Sequence, residues 1–238
     1  MGETLSKLTT HKIFKLLVLR WLACQFRRGG ASFLLHLDAN NYVPSRAVAL
    51  ARATAAGPGY WNDLDQLMIG YKLLKAWEPR QTLAEYRSQY SLFVILAAPL
   101  IFSADIRGTE AFNAWTNDTA SVLLNKAVIA VSQDPLGQQG ILIANLTADV
   151  ELYRRSLADG GLALAILNRA ATPLPMPLNV SWAQVGVPAG SAVAGVVALW
   201  PGTAMPYSDG GFVVDALNTH DTMLVRVTLT QAQRRARG

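Results

Sequence analysis

Thr82 to Ala104 reads TLAEYRSQYSLFVILAAPLIFSA. Thr82 and Glu85 form a capping box, in which the threonine hydroxyl takes a backbone N–H and the glutamate reaches back to the cap. Leu83, Tyr86, Tyr90, Phe93 and Ala97 then recur at helical spacing. Pro99 cannot continue that helix and pushes Ala98 towards an extended conformation. The run that follows, Leu100-Ile101-Phe102-Ser103-Ala104, is strand-sized and apolar throughout, as a strand buried on both faces of a parallel sheet would be. A helix feeding directly into such a strand is α/β logic. A second helix is expected over Ser121 to Val131, stopping before Asp134-Pro135.

The pattern changes near residue 140. Glu151–Tyr153, Leu162–Leu167, Leu178–Trp182, Val193–Trp200, Phe212–Val214 and Met223–Leu229 are strand-sized, and Asp159-Gly160-Gly161 and Asp209-Gly210-Gly211 are hairpin signals. Closely spaced strands with turn chemistry imply an antiparallel sandwich. The fold class expected is therefore α/β plus all-β, with an α/β domain over 1–140 and an antiparallel β-sandwich domain over 141–238.

Composition excludes several classes. Half of the residues are apolar (51%), 16% are charged and the net charge is +5, which suits a folded core. The basic residues are scattered rather than gathered on one element with aromatics, so no nucleic-acid partner is expected. The apolar run from Ile13 to Phe26 is interrupted by Lys15 and Arg20, too short and too charged to span a membrane and without the cleavage site of a signal peptide. Cys24 is the sole cysteine, so no intrachain disulfide can form. Asn117-Asp118-Thr119, Asn145-Leu146-Thr147 and Asn179-Val180-Ser181 are N-glycosylation sequons, which permit a secretory route.

The densest polar constellation is Gly57-Pro58-Gly59-Tyr60-Trp61-Asn62-Asp63-Leu64-Asp65-Gln66. Gly-Pro-Gly makes a tight turn, and an extended segment after it would place Trp61, Asp63 and Asp65 on one face, the two carboxylates' Cα atoms about 7 Å apart. Paired carboxylates carry out glycosidic-bond hydrolysis, but two on one strand point the same way and flank a scissile bond poorly. Spacing alone leaves a second reading open, with Asp63 capping a turn and Asp65 solvated. His36 lies in an apolar run and reads as a packed core residue; His220 and His11 have no evident sequence partners. No metal-ligand cluster and no phosphate-binding glycine loop is present.

Gly57 to Leu67 resembles the G-P-G-x-W-N-D-P-D-M-L signature of glycoside hydrolase family 27, the α-galactosidases and α-N-acetylgalactosaminidases. Ala97 to Arg107 resembles that family's A-A-P-L-x-x-S-x-D-L-R segment, and Asn125 to Gly140 its N-K-x-V-I-A-I-N-Q-D-P-L-G-x-Q-G segment. Leu167-Asn168-Arg169, Ser181-Trp182-Ala183, Val187-Pro188-Ala189-Gly190 and Ala198-Leu199-Trp200 are similar to landmarks of its C-terminal β-domain.

The resemblance implies the C-terminal part of a (β/α)8 barrel followed by an antiparallel β-sandwich, with the Gly57 segment as barrel strand 7 and Leu100 to Ala104 as strand 8. It implies hydrolysis of terminal α-linked galactose with retention, an α-galactoside or oligosaccharide as partner, no cofactor, a homodimer, and a secreted, lysosomal or vacuolar location. Asp65 takes the place of a sugar-pocket carboxylate, with Trp61, Asn62 and Asp63 shaping and supporting the strand end. Gln66 stands where the family has a pocket-lining Met, and Leu64 where it often has Pro. The nucleophilic Asp of the family's K-x-D segment and its acid/base Asp have no counterpart: no Asp or Glu occurs between Glu3 and Asp38, and Asp38 lies nineteen positions before Gly57, too close for strand 4. The expectation is a chain without catalytic residues, inactive alone, whose substrate-binding residues are Asp65, Gln66, Asp63 and Trp61. The alternative is a non-catalytic carbohydrate-binding or regulatory relic.

Overall fold

The computed structural model describes residues 56–64, 66–67, 69–70, 81–102, 117–174, 177–188 and 191–230. Helix α1 spans Leu83–Ile95 and begins with the expected box: Glu85 N donates to Thr82 Oγ1 at 3.2 Å, and Thr82 N donates to Glu85 Oε2 at 2.6 Å. It ends in two reciprocal bonds, Ala98 N to Phe93 O (2.9 Å) and Ala97 N to Val94 O (3.3 Å), with Ala97 left-handed at φ 52°. Glycine usually takes that position because a Cβ is strained there. Pro99 then forces the chain out of the helix.

The chain on either side of α1 forms two parallel neighbours. Pro58 and Gly59 (φ 90°) make a tight turn closed by Tyr60 N to Gly57 O at 3.0 Å. The segment then extends to Leu67, which bridges Phe102 in parallel; Leu67 N donates to Ile101 O at 2.7 Å. Parallel neighbours require a crossover, and α1 lies between them in sequence. One expectation fails here. Leu100 and Phe102 pack on the core, but Ile101 is 47% exposed, so the run is not buried on both faces. Its alternate residues point to opposite sides, and only one side meets the helices. Ser103 and Ala104 lie outside the described residues.

The helix expected over Ser121 to Val131 is two: α2 (Asn117–Leu123) and α3 (Lys126–Ser132). Asn125 divides them. Its Oδ1 accepts from Ala127 N (3.1 Å) and Val128 N (3.2 Å), and its Nδ2 donates to Leu199 O at 3.0 Å. An asparagine that caps a new helix start stabilises the break.

Beyond residue 140 the strands are β1 (Ile141–Asn145), β2 (Val150–Ser156), β3 (Leu162–Asn168), β4 (Leu178–Ser181), β5 (Ala192–Ala198), β6 (Thr203–Ala204), β7 (Tyr207–Ser208), β8 (Gly211–Val214) and β9 (Thr222–Thr230). They form a six-stranded sheet in the order β1-β2-β3-β9-β5-β6 and a three-stranded sheet β4-β8-β7, with antiparallel pairing throughout. Both Asp-Gly-Gly signals sit in hairpins, β2–β3 and β7–β8. Strands β1, β6 and β7 have no legible signal: β1 is partly buried along most of its length without alternation, and the others are two residues long.

The six-stranded sheet has a core on each face. On β3, Leu162, Leu164 and Ile166, with Val225 of neighbouring β9, face Val180 and Phe212 of the three-stranded sheet, while Ala163, Ala165 and Leu167 face α1 with Phe93 and Tyr90. That is why β3 is buried at every position. Small alanines on the helix side let α1 approach closely. The helix brings buried polar groups to this seam: Trp200 Nε1 donates to Ser91 Oγ (2.9 Å), Thr222 Oγ1 to Ser88 Oγ (2.8 Å), and His220 Nδ1 lies 3.2 Å from Glu85 Oε1. His220, without a partner in the sequence pattern, is thus paired across the seam.

Candidate functional site

The Gly57 turn aims an extended segment at the sheet. Trp61 is 43% exposed, Asn62 and Leu64 are buried, and Asp63 is partly buried, so side chains alternate from Trp61 through Leu64. The alternation does not continue, since Leu67 is buried again. Gln66 is partly buried, and Asp63 and Gln66 each engage a neighbouring group. Asp65 lies outside the described residues, as do His36 and Asp38.

What fixes this segment is the stretch from Gln133 to Gly140. The buried amide of Asn62 donates from Nδ2 to Gln139 Oε1. Gly137 (φ 60°) lies under the turn, where a Cβ would come within 2.9 Å of both Pro58 Cγ and Trp61 Cη2. At Gly140 a Cβ would meet Ile95 O at 2.6 Å and Arg154 O at 2.9 Å, and Gly140 N donates to Ile95 O at 2.8 Å. Asp134 accepts from Leu136 N (3.1 Å) and, across the chain, from Ala158 N in the β2–β3 hairpin (3.0 Å). The Gln-Asp-Pro-Leu-Gly motif therefore joins the Gly57 segment, the end of α1 and the six-stranded sheet. Sequence reasoning did not assign Gly137, Gln139 and Gly140 these contacts; two glycines bracketing consecutive glutamines were the available signal.

The buried acids elsewhere are committed to the framework. Glu85 caps α1 and meets His220; Glu151 accepts from the Tyr153 hydroxyl and pairs with Arg169 Nη1 at 3.0 Å. Burial raises the Tyr90 hydroxyl to a pKa of about 12, which keeps it protonated against Trp200. Among the described residues no group of three or more His, Cys, Asp or Glu is placed to hold a metal ion, and no helix is long and apolar enough to cross a membrane.

Two parallel neighbours followed by a sandwich, each carrying its own motifs, invite comparison with known families. Residues 41–134 match the family model described as alpha galactosidase A, and residues 147–227 match the alpha galactosidase C-terminal beta sandwich domain. The chain belongs to glycoside hydrolase family 27. It is 36% identical over 140 residues to the alpha-N-acetylgalactosaminidase of Rattus norvegicus, covering 59% of this chain and 30% of that protein. It is 32% identical over 178 residues to alpha-galactosidase 3 of Arabidopsis thaliana, covering 74% and 37%. The crystal structure of alpha-galactosidase I from Mortierella vinacea superposes with a TM-score of 0.61 at 25% identity, over 76% of this chain and 42% of that one. The chain thus spans about a third of the length of the curated relatives it matches. Its fold is that of part of a family 27 barrel with the C-terminal sandwich. The Gly137–Gln139–Gly140 junction of this family 27 chain falls between the two matched regions.

Proposed function

We propose that this chain carries the strand-7 and strand-8 wall of an α-galactosidase-type retaining site, and that it lacks both the nucleophile and the acid/base. The supporting observation is the parallel bridge between Leu67 and Phe102, which sets the two motif-bearing segments side by side as neighbouring barrel strands would lie. Sites in such barrels form at the C-terminal ends of the strands. In this reading Asp65 accepts hydrogen bonds from galactose hydroxyls, Asp63 and Trp61 support the strand end, and Gln66 lines the pocket where relatives carry Met. The wall and the sandwich are two domains meeting near residue 140.

Retention needs two carboxyl groups about 5–5.5 Å apart on opposite sides of the scissile bond. The stretch that would carry the acid/base contains no Asp or Glu between Glu3 and Asp38. The substrate class is a terminal α-linked galactoside, and the purified chain releases no aryl leaving group from an aryl α-galactoside faster than buffer does. Turnover above buffer overturns the assignment of the missing acids. The retained wall also favours a second reading, a binding relic without chemistry. Titration calorimetry with galactose separates the two: heat that vanishes in Asp65→Ala supports the relic, and no heat supports an inert portion of the enzyme.

A further inference from the structure

We propose that Asn179 is an N-glycan attachment site and that the first sugar of that glycan seats in a trough on the outer face of the three-stranded sheet. Asn179-Val180-Ser181 lies on β4, an edge strand, with Asn179 and Ser181 exposed and Val180 buried between them. Strand alternation therefore presents both functional members of the sequon to solvent while the valine anchors the strand in the core.

A cavity of about 280 Å³ opens beside the asparagine, lined by Asn179, Ser181, Ser208, Gly210, Gly211 and Val213, among others. The pairing explains its shape. Gly211 sits between Ser181 on β4 and Ser208 on β7, so the middle strand contributes no side chain there. Val213, opposite Asn179, is 40% exposed and offers an apolar wall. Ser181 Oγ accepts from Gln184 N at 3.2 Å and keeps its own proton to donate. Hydroxyl and amide groups around one apolar patch suit a pyranose ring, which has an apolar face and a polar rim.

The trough is open and shallow, which suits a tethered sugar. Its lining comes from one face of the sheet, whereas pockets that hold a free ligand bury most of that ligand's surface. A ring bonded to Asn179 needs little affinity of its own, because a tether turns docking into an intramolecular event at high effective concentration. Asn117 and Asn145 are exposed sequon asparagines as well, but Thr119 of the first sequon is buried and neither asparagine lines this trough. The donor is a lipid-pyrophosphate-linked oligosaccharide of the secretory pathway. Asn179 Nδ2 bonds to C1 of the first N-acetylglucosamine, the C1–O bond to the lipid pyrophosphate breaks, the lipid pyrophosphate leaves with the electron pair, and one amide proton is lost.

The test is to express the full chain behind a secretory leader in a eukaryotic host and to map glycopeptides by mass spectrometry. Glycopeptides are read after denaturation and digestion, so the readout does not require each variant to be stable. Asn179 is expected to be occupied, occupancy to vanish in N179Q and S181A, and to persist in S181T. Enzymatic release of the glycan from the native protein is then expected to be about tenfold faster in V213S than in the unsubstituted chain, equivalent to ~1.4 kcal/mol of lost seating. An unmodified Asn179 overturns the attachment site, and equal release rates overturn the seat.

Discussion

The guanidinium of Arg155, on β2, donates from Nη1 to the carbonyl oxygen of Val94 at 2.5 Å, in the last turn of α1. Its Nη2 reaches Ser132 O at the end of α3 at 3.4 Å. Two helix C-termini, each the negative end of its dipole, thus converge on one cation from the sheet. Arg155 is 1% exposed; burial pulls its pKa below the usual arginine value, and the nearby Asp134 carboxylate opposes that pull.

Removing this cation takes a charged donor from two helix-end carbonyls and leaves a cavity. Arg155→Ala is expected to cost about 2–5 kcal/mol, from the cavity and the lost charge-assisted hydrogen bonds. Arg155→Lys keeps the charge but cannot span both carbonyls, so it should fall between. Urea midpoints on the full chain check this order, and an unchanged midpoint for the alanine variant rejects it.

Gly137 is expected to tolerate no side chain. Its φ of 60° and the 2.9 Å approach to Pro58 and Trp61 mean that Gly137→Ala must displace the Gly57 turn, costing about 1–3 kcal/mol. Trp61→Leu removes one obstacle, so the double variant should be less destabilised than the sum of the singles. A double-mutant cycle measures it, with coupling of at least ~0.5 kcal/mol expected.

Ala97 presents the opposite case. It is left-handed at φ 52° in the position that closes α1, where an L-residue is strained by roughly 1–2 kcal/mol. Ala97→Gly relieves that strain and loosens the unfolded chain, leaving a net gain of about 0.5–1 kcal/mol. Thermal melting gives the sign directly; a lower midpoint would count against the strain argument.

Asp221 supplies a pH signature. Desolvation raises its carboxyl pKa, against the pull of the Thr222 amide, Arg87 and Asn218. Just above the ordinary aspartate value of about 3.9, the folded chain holds a proton that the unfolded chain has released. Stability therefore falls as pH rises through that window, and the penalty is complete above the folded pKa. Asp221→Asn removes the effect while keeping an oxygen to accept from Thr222 N, now at 2.8 Å. The variant's advantage over the unsubstituted chain should grow as pH is raised above about 4 and level off once the folded carboxyl has ionised. A difference independent of pH refutes this.

Sequence by itself determined the features whose physics is local. The Thr82–Glu85 box spans three residues, the Asp-Gly-Gly hairpins span their own turns, and Pro99 acts on its immediate neighbour; each is fixed by bonds and sterics within a few positions. The order of motifs likewise carried the family and the fold. Only the tertiary structure decided that Asn62 meets Gln139, 77 positions away, that Asn125 splits one helical pattern into two by reaching Leu199, that His220 finds Glu85, and that every residue of β3 is buried because its sheet is covered on both faces. Such contacts depend on which surfaces the folded chain brings together, and hydrophobic patterning states that a face is buried without stating against what.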